Sequence, residues 1–451
     1  MAAPSSFDAI VVGAGPAGTT AALGLAQKGA KVLLLERGEY PGAKNMFGGM
    51  LAYCPTPERL IPNFWENAPW ERAVTKRVLS VVGGESSTSL VFHASSEGRL
   101  QGEVGATVVA GASFDKTLIG FTLFRPLFDC WYAEQAVAQG VTLLSGCRVE
   151  GLVQKAGAVC GVRVAGEHDV VEAPLVIACD GVLSFLAREA GLHAGREPHQ
   201  VALGVRALYL LSEDEINERF GLKGREGASY EFLGCTRGIR GGGFLYTQTD
   251  TVAAGLVVHL DSLKEKQIPP YELLEHFVAQ PPVSLLLRGA QLVEYSAHLL
   301  PEAGLRMVPK LYANGLLVAG DAAGLCYTNG LTQEGMNLAM TSGWLAAEVA
   351  AEALAAGNVS AAYLARYEQE LKNSFVLRDL KTFRRAIDFL HRDQLFTVYP
   401  QVVARLMEDV FRSDGHPKRR IAALLRQAMK GRVSLRQVVR DALEGGRAFL
   451  C

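Results

Sequence analysis

From Phe7 to Val12 apolar and polar residues alternate and then run apolar, the pattern of a buried parallel strand. Thr19 to Lys28 has helical spacing with small residues, and Lys31 to Leu35 is a second apolar run that ends in Glu36. Two later runs, Pro174 to Asp180 and Leu316 to Ala319, read as further buried strands; they end in Asp180-Gly181 and Gly320-Asp321-Ala322-Ala323-Gly324. Residues 81–104 and 201–299 have a different texture. Stretches such as ALGVRALYL and GLVVHLD lie between glycine-rich turns there, which suits an antiparallel sheet. From Ala361 onward, YLARYEQELKNSF and KRRIAALLRQAMKGR have helical periodicity.

Between the first strand and the first helix stands Gly13-Ala14-Gly15-Pro16-Ala17-Gly18, a G-x-G-x-x-G turn, and Glu36 closes the second strand. The three glycines serve different ends. Gly13 permits the tight turn, Gly15 lets the backbone approach a pyrophosphate, and Gly18 lets the helix pack close to its strand. The helix N-terminus offers free N–H groups to the phosphates, and Glu36 is placed to accept from adenosine ribose hydroxyls. Strand, turn, helix, strand and acid together predict a Rossmann-type dinucleotide site. The motif does not separate FAD from NAD.

The chain has 451 residues, 49% hydrophobic and 20% charged, which suits two or three folded domains and excludes disorder as its main state. Lys plus Arg is 45 against 46 Asp plus Glu, so nothing global attracts nucleic acid. Cysteines stand at 54, 130, 147, 160, 179, 235, 326 and 451, never as C-x-x-C. No metal, structural zinc or iron–sulfur cluster held by this chain alone is expected. The start, MAAPSSFDAI, lacks the basic-then-apolar order of a signal peptide, and a cytoplasmic location is expected. The longest apolar candidate, Leu338 to Gly357, is interrupted by Glu348 and Glu352 and is not expected to span a membrane.

Together, these segments resemble the flavoprotein superfamily that includes aromatic hydroxylases, geranylgeranyl reductases and electron-transfer flavoprotein:quinone oxidoreductases. The resemblance implies FAD. The first motif then binds the ADP half, Asp180 and Gly181 lie near the pyrophosphate, and Gly320 and Asp321 meet the ribityl chain. Arg125, in FTLFRPLFDCWYAEQA, matches the family arginine that opens a helix near the flavin; the alternative is a surface arginine capping that helix. Arg188 either reaches the phosphates or is solvated. Gly330 to Gly343 is similar to the last flavin helix, with Gly335, Met336 and Asn337 facing the flavin O2. Arg37 and Val149 complete the candidate cofactor contacts.

Glu36 to Asn45, ERGEYPGAKN, followed by Gly48 and Gly49, is similar to a signature of FixC-type (EtfC-like) proteins, the flavoprotein subunit of FixABCX/EtfABCX complexes. Gly241 to Tyr246, GGGFLY, resembles the quinone-side segment of the quinone oxidoreductases. The likeness runs to about residue 390. Single-chain members of that family end in a four-cysteine cluster domain, whereas here only Cys326 and Cys451 follow Cys235. That departure agrees with FixC-type proteins, in which a ferredoxin-like subunit carries the cluster.

The resemblance thus implies an FAD-dependent subunit that takes electrons from the alpha and beta subunits of an electron-transferring flavoprotein and passes them to a membrane quinone. Lys44 and Asn45 are flavin-proximal candidates, Lys44 alternatively being a solvated loop lysine. Gly242, Gly243, Phe244 and Tyr246 are quinone-side candidates, in a loop that is alternatively an ordinary glycine-rich turn. The aromatic stretch Pro62 to Trp70 and the C-terminal helices are candidate membrane or partner surfaces. From residue 391 onward 12 Lys and Arg stand against 6 Asp and Glu, with Lys418-Arg419-Arg420 clustered; a solvated helical face is the alternative.

The expected architecture is α/β. A discontinuous FAD-binding domain covers 1–80, 105–200 and 300–360, an antiparallel-sheet quinone or substrate domain covers 81–104 and 201–299, and a helical region covers 361–451. Peripheral attachment to the cytoplasmic face of the inner membrane is expected of a quinone reductase. Two other functions share these motifs: a geranylgeranyl-reductase-like or hydroxylase-like enzyme using NAD(P)H, and an assembly subunit in which FAD is structural.

Overall fold

The structure, a computed structural model, describes residues 7–46, 48–84, 86–94, 106–109, 112–117, 120–166, 170–330 and 332–449. The expectations that fall on residues 1–6 and 95–104 and on Cys451 lie outside the described residues.

The apolar runs form one six-stranded sheet. Val11, in the strand Ala9–Val12, stands opposite Ile177 on one side and Leu34 on the other, both in parallel register. Leu316–Val318 extends the sheet beyond Leu175–Ala178, and Thr142–Leu144 extends it beyond Val32–Leu35. Every residue of the strands Ala9–Val12, Val32–Leu35 and Leu175–Ala178 is buried. Such strands are covered on both faces, which is why the sequence shows runs and not alternation.

The helix Pro16–Gln27 follows the glycine turn, with Pro16 in its first turn, where a missing N–H leaves nothing unpaired. Met336–Ala355 packs closely against it, because a Cβ on Gly343 would run into the Ala17 carbonyl and one on Gly24 would come within 3.0 Å of Ala347 Cβ. A three-stranded antiparallel sheet, Val149–Lys155, Ala158–Val164 and Val170–Glu172, adds Val159 and Val162 to the same core.

A second, nine-stranded sheet carries the remaining long strands. Val201–Leu210 lies between Thr251–His259 and Gln291–Pro301, antiparallel to both. Gly241–Thr247 joins Thr251–His259 to Glu226–Leu233. The sheet is not purely antiparallel, since Glu226–Leu233 runs parallel to Trp70–Gly83. Three strands that the sequence places in the nucleotide-binding part, Gly48–Ala52, Trp70–Gly83 and Gly120–Phe124, hydrogen-bond within this second sheet. Ser86–His93 pairs along Trp70–Gly83. Helices Glu213–Phe220, Leu260–Lys266 and Pro270–Val278 supply Ile216, Phe220, Leu263, Leu273, Leu274 and Phe277 to the core on one face.

Two sequence expectations are corrected here. Gly241 to Tyr246 is not a loop but part of a strand hydrogen-bonded on both edges. Its glycines are filled from outside: the ring of Phe277 lies where a Gly243 side chain would project. The stretch Pro62 to Trp70 is not an aromatic surface, for Phe64, Trp65 and Trp70 are all buried. Trp65 stacks on Phe121 at 4.8 Å and Phe64 meets Phe128 edge-on, so these rings join the helix Arg125–Ala138 to the second sheet.

From Ala361 to Phe449 the chain is helical. The helix Tyr399–Phe411 lies on the second sheet where Gly83 and Gly234, lacking side chains, leave room for Pro400 and Ala404. Among the described residues no helix is long and apolar enough to cross a membrane.

Candidate functional site

A cavity of about 700 Å3 opens between the two sheets. The glycine turn forms one end. A Cβ on Gly13 would meet the Cys179 carbonyl and one on Gly18 would run into the Gly13 carbonyl, whereas Gly15 faces open space with only Arg125 Nη2 at 4.0 Å. Gly13 also has φ of +101°, a conformation that side chains resist. The motif's three glycines thus do separate things, and of the three only Gly15 fronts the cavity without obstruction.

Glu36 lies at the end of its buried strand. Its Oε2 accepts from the Ala14 N–H at 2.9 Å and its Oε1 from the Gly38 N–H at 2.6 Å. Two backbone donors fix this carboxylate against the cavity wall and leave its remaining lone pairs for a ligand. Arg37, Gly48, Gly49, Val149 and Gly181 line the same cavity, as do Pro16 and Ala17.

Arg125 opens its helix as the sequence predicts, but it is no surface cap. Its guanidinium is held by Asp129 one turn on, with Nε 3.0 Å from Oδ1 and Nη2 2.8 Å from Oδ2. Burial works against that charge, but Asp129 outweighs it and holds Arg125 above its ordinary range. Asp129 also accepts from Asn45 Nδ2 at 3.2 Å, which ties the segment carrying Lys44 and Asn45 to the helix. Lys44 is exposed and Asn45 half-buried; both line the cavity.

Two acids face the cavity from the ends of buried strands. Burial pushes Asp321 up to about 6, with Arg125 opposing the shift. Burial also raises Asp180, although Leu186 donates to its Oδ2 at 3.0 Å. Asp180 Oδ1 is buried with no hydrogen-bond partner. An orphaned acceptor is costly unless a ligand donor meets it. The cavity therefore presents three carboxylates along a glycine-rich cradle. That donor-seeking set fits FAD, whose ribose and ribityl hydroxyls donate and whose pyrophosphate needs the space at Gly15.

Several expected contacts stand back from the cavity. Ala14 acts through its N–H to Glu36. The Gly320 N–H is spent on Ser342 Oγ at 3.0 Å, so it does not face a phosphate. Gly335 and Met336 line the cavity, whereas Asn337 is buried behind them and donates to Glu334 Oε2 at 2.6 Å. Arg188 is exposed on the helix Phe185–Glu189 and is not part of the cavity wall. On the second sheet Tyr246 reaches the cavity beside Val257, His298 and Leu300. Phe244 stacks on Tyr246 at 5.5 Å, one layer back. Strand alternation turns Gly243 to the opposite face, against Phe277 and Cys235, and Gly242 is likewise not on the wall.

Arg196 is not legible in the sequence. Its guanidinium donates to the carbonyls of Val182, Met307 and Ala322, at 3.3, 2.7 and 2.8 Å, and so clasps the turns that carry Asp180 and Asp321. Nothing local marks it, because its three partners are far apart in sequence. Asp129 is missed too, although the i,i+4 spacing from Arg125 is a legible signal.

Comparison with known proteins bears on the cofactor and the family. Residues 8–203 match the model of FAD-dependent oxidoreductases, and residues 386–450 match the ETF-QO/FixC family C-terminal domain. The chain is 40% identical to the probable electron transfer flavoprotein-quinone oxidoreductase YdiS of Escherichia coli, covering 98% of this chain and 99% of that protein. It is 37% identical to protein FixC of Azotobacter vinelandii, covering 98% and 99%. Among solved structures, a geranylgeranyl bacteriochlorophyll reductase-like protein of Thermoplasma acidophilum superposes with a TM-score of 0.71 over 98% of this chain and 99% of that one. At 19% identity that likeness shows a shared fold. The cradle, its three carboxylates and these full-length relatives lead to one conclusion: the chain is an FAD-dependent oxidoreductase and belongs to the FixC and electron transfer flavoprotein-quinone oxidoreductase family.

Proposed function

We propose that this protein accepts electrons from an electron-transferring flavoprotein, made of alpha and beta subunits, and delivers them to a membrane quinone within a FixABCX/EtfABCX-like complex. The observation that carries the reading is the end-to-end likeness to relatives named for electron transfer flavoprotein-quinone oxidoreduction. A bound flavin supplies chemistry suited to such a transfer, since it exchanges either one or two electrons.

The protein's own groups have definable parts in it. Glu36, Asp180 and Asp321 would hold hydroxyls of the bound cofactor and orient it. Arg125, fixed by Asp129, keeps a positive charge beside the cavity, and Lys44 adds another at its mouth. Both would favour negative charge on a bound flavin. Tyr246, Val257 and Leu300 give the second sheet's wall an apolar character that suits a quinone head.

A ferredoxin-like iron–sulfur partner belongs to the proposal because the chain's likeness is to FixC proteins, the type in which a separate subunit is expected to carry the cluster. The C-terminal helices are the proposed docking side, peripheral to the cytoplasmic face of the inner membrane. Phe411, Ile421, Leu435 and Leu443 are exposed there, near the basic cluster Lys418–Arg420.

The acceptor half of this proposal has a direct test. Protein reduced anaerobically with dithionite, freed of excess reductant and mixed with a short-chain quinone should recover its oxidised flavin absorbance as quinol accumulates in equal amount. Absorbance that stays bleached in the presence of quinone would remove the quinone from the account.

A further inference from the structure

One more carboxyl is buried behind the cavity wall. Glu302 follows Pro301 at the end of the last long strand and is 9% exposed. Its Oε2 accepts from Gln333 Nε2 at 2.7 Å, and both Gln333 and Cys326, which Gln333 also hydrogen-bonds, line the cavity. On its other side Oε1 lies 3.7 Å from His259 Nε2. His259 is buried at the end of its own strand, and its Nδ1 has no hydrogen-bond partner. Its ring meets that of His391 edge to face at 4.7 Å. His391 is half-buried, donates from Nδ1 to the Ile387 carbonyl at 2.7 Å, and belongs to the C-terminal helical region. Four segments distant in sequence thus bring titratable groups into a succession of contacts that starts behind the cavity wall and ends at half-buried His391.

The protonation states suit passage of protons. Burial pushes Glu302 up to about 8, with the Gln333 amide opposing, so the acid holds its proton at neutral pH. Burial, reinforced by His391, lowers His259 to about 4, so its imidazole is neutral. A neutral imidazole takes a proton on one nitrogen and releases one from the other. The other charges around His259 are Asp261 and Arg240, paired at 2.8 Å, with Asp393 at 3.2 Å from Arg240. Asp321 and Glu334 face Cys326 on the cavity side.

We propose that Glu302, His259 and His391 form the route by which protons reach the cavity, with Gln333 positioning Glu302 as the proton-holding member next to it. The inference rests on the quinone-reducing reading. Converting a quinone to a quinol adds two electrons, which the donor supplies, and two protons, which come from water. In each transfer Glu302 releases its carboxyl proton past the Gln333–Cys326 wall. The carboxylate regains one from His259 Nε2 as His259 Nδ1 takes one up from the side of His391, so the imidazole stays neutral throughout, and the ring returns to its first tautomer before the next transfer.

Two readouts test this on the FAD-loaded protein. Infrared spectra should show a protonated carboxyl stretch that persists at neutral pH, disappears as pH rises through about 8, and is missing from Glu302→Gln. Turnover is then compared between a short-chain quinone, which takes up protons, and ferricyanide, which takes only electrons. In the wild type the ratio of quinone to ferricyanide turnover should fall as pH rises through about 8. Glu302→Gln and His259→Phe should each lower that ratio about tenfold or more at neutral pH and flatten its pH dependence. No such infrared band, an unchanged ratio in Glu302→Gln, or equal loss with both acceptors would overturn the route. Wild-type protein that reduces ferricyanide but no quinone would overturn the quinone reading, and the route with it.

Discussion

Asp129→Leu is expected to destabilise the folded protein by about 3–5 kcal/mol, the usual cost of removing one partner of a buried ion pair. The side chain of Asp129 is 1% exposed and that of Arg125 16%. Without the carboxylate, Arg125 keeps its charge in a buried site where Asp321 is the main counter-charge left, and Asn45 Nδ2 loses its acceptor. Asp129→Asn keeps shape and one acceptor and should cost less. Urea unfolding checks this, through a lower midpoint with an unchanged slope. A loss below about 1 kcal/mol, the size expected of an exposed pair, would show that Asp129 does not anchor the arginine.

The second large effect concerns flavin retention. Gly18→Ala places a methyl group against the Gly13 carbonyl, so the turn and the helix that it starts must separate. Overpacking of this kind costs about 1–3 kcal/mol. If that cost falls on the cofactor cradle, flavin affinity drops roughly tenfold to a hundredfold. The ratio of flavin to protein absorbance after dialysis reads this directly, and thermal unfolding reports whether the apoprotein remains folded. Full flavin content in Gly18→Ala would contradict the packing role assigned to Gly18. Gly15→Ala makes a useful contrast. Its methyl would meet nothing nearer than Arg125 at 4.0 Å, so it should fold normally and lose affinity only through the space it takes from the ligand.

The parts of this site that are legible in the sequence are those whose partners are close along the chain. The glycine turn, the helix after it and Glu36 belong to one continuous β-α-β unit, and each buried strand announces itself as an unbroken apolar run. Gly241–Thr247 reads as a loop because glycine signals a turn locally. The reason for its glycines lies elsewhere, in the ring of Phe277 against Gly243 and the ring of Phe244 over Gly255. The pairing of Trp70–Gly83 is not legible because its partner, Glu226–Leu233, is far along the chain and pairs with it in parallel. The aromatic residues Phe64 and Trp65 look like a surface motif until Phe121 and Phe128 are brought to them. Arg196 and Glu302 share this property: charged residues are read as exposed by default, and only tertiary packing shows what they hold.

We propose that this flavoprotein takes its electrons from another flavoprotein and not from a nicotinamide. This is tested most directly by anaerobic mixing of the oxidised protein with NADH, NADPH and reduced electron-transferring flavoprotein in separate reactions, following flavin absorbance. Bleaching by the reduced flavoprotein alone is expected. Fast bleaching by NADPH alone would contradict that donor and make the protein an NAD(P)H-dependent flavoenzyme.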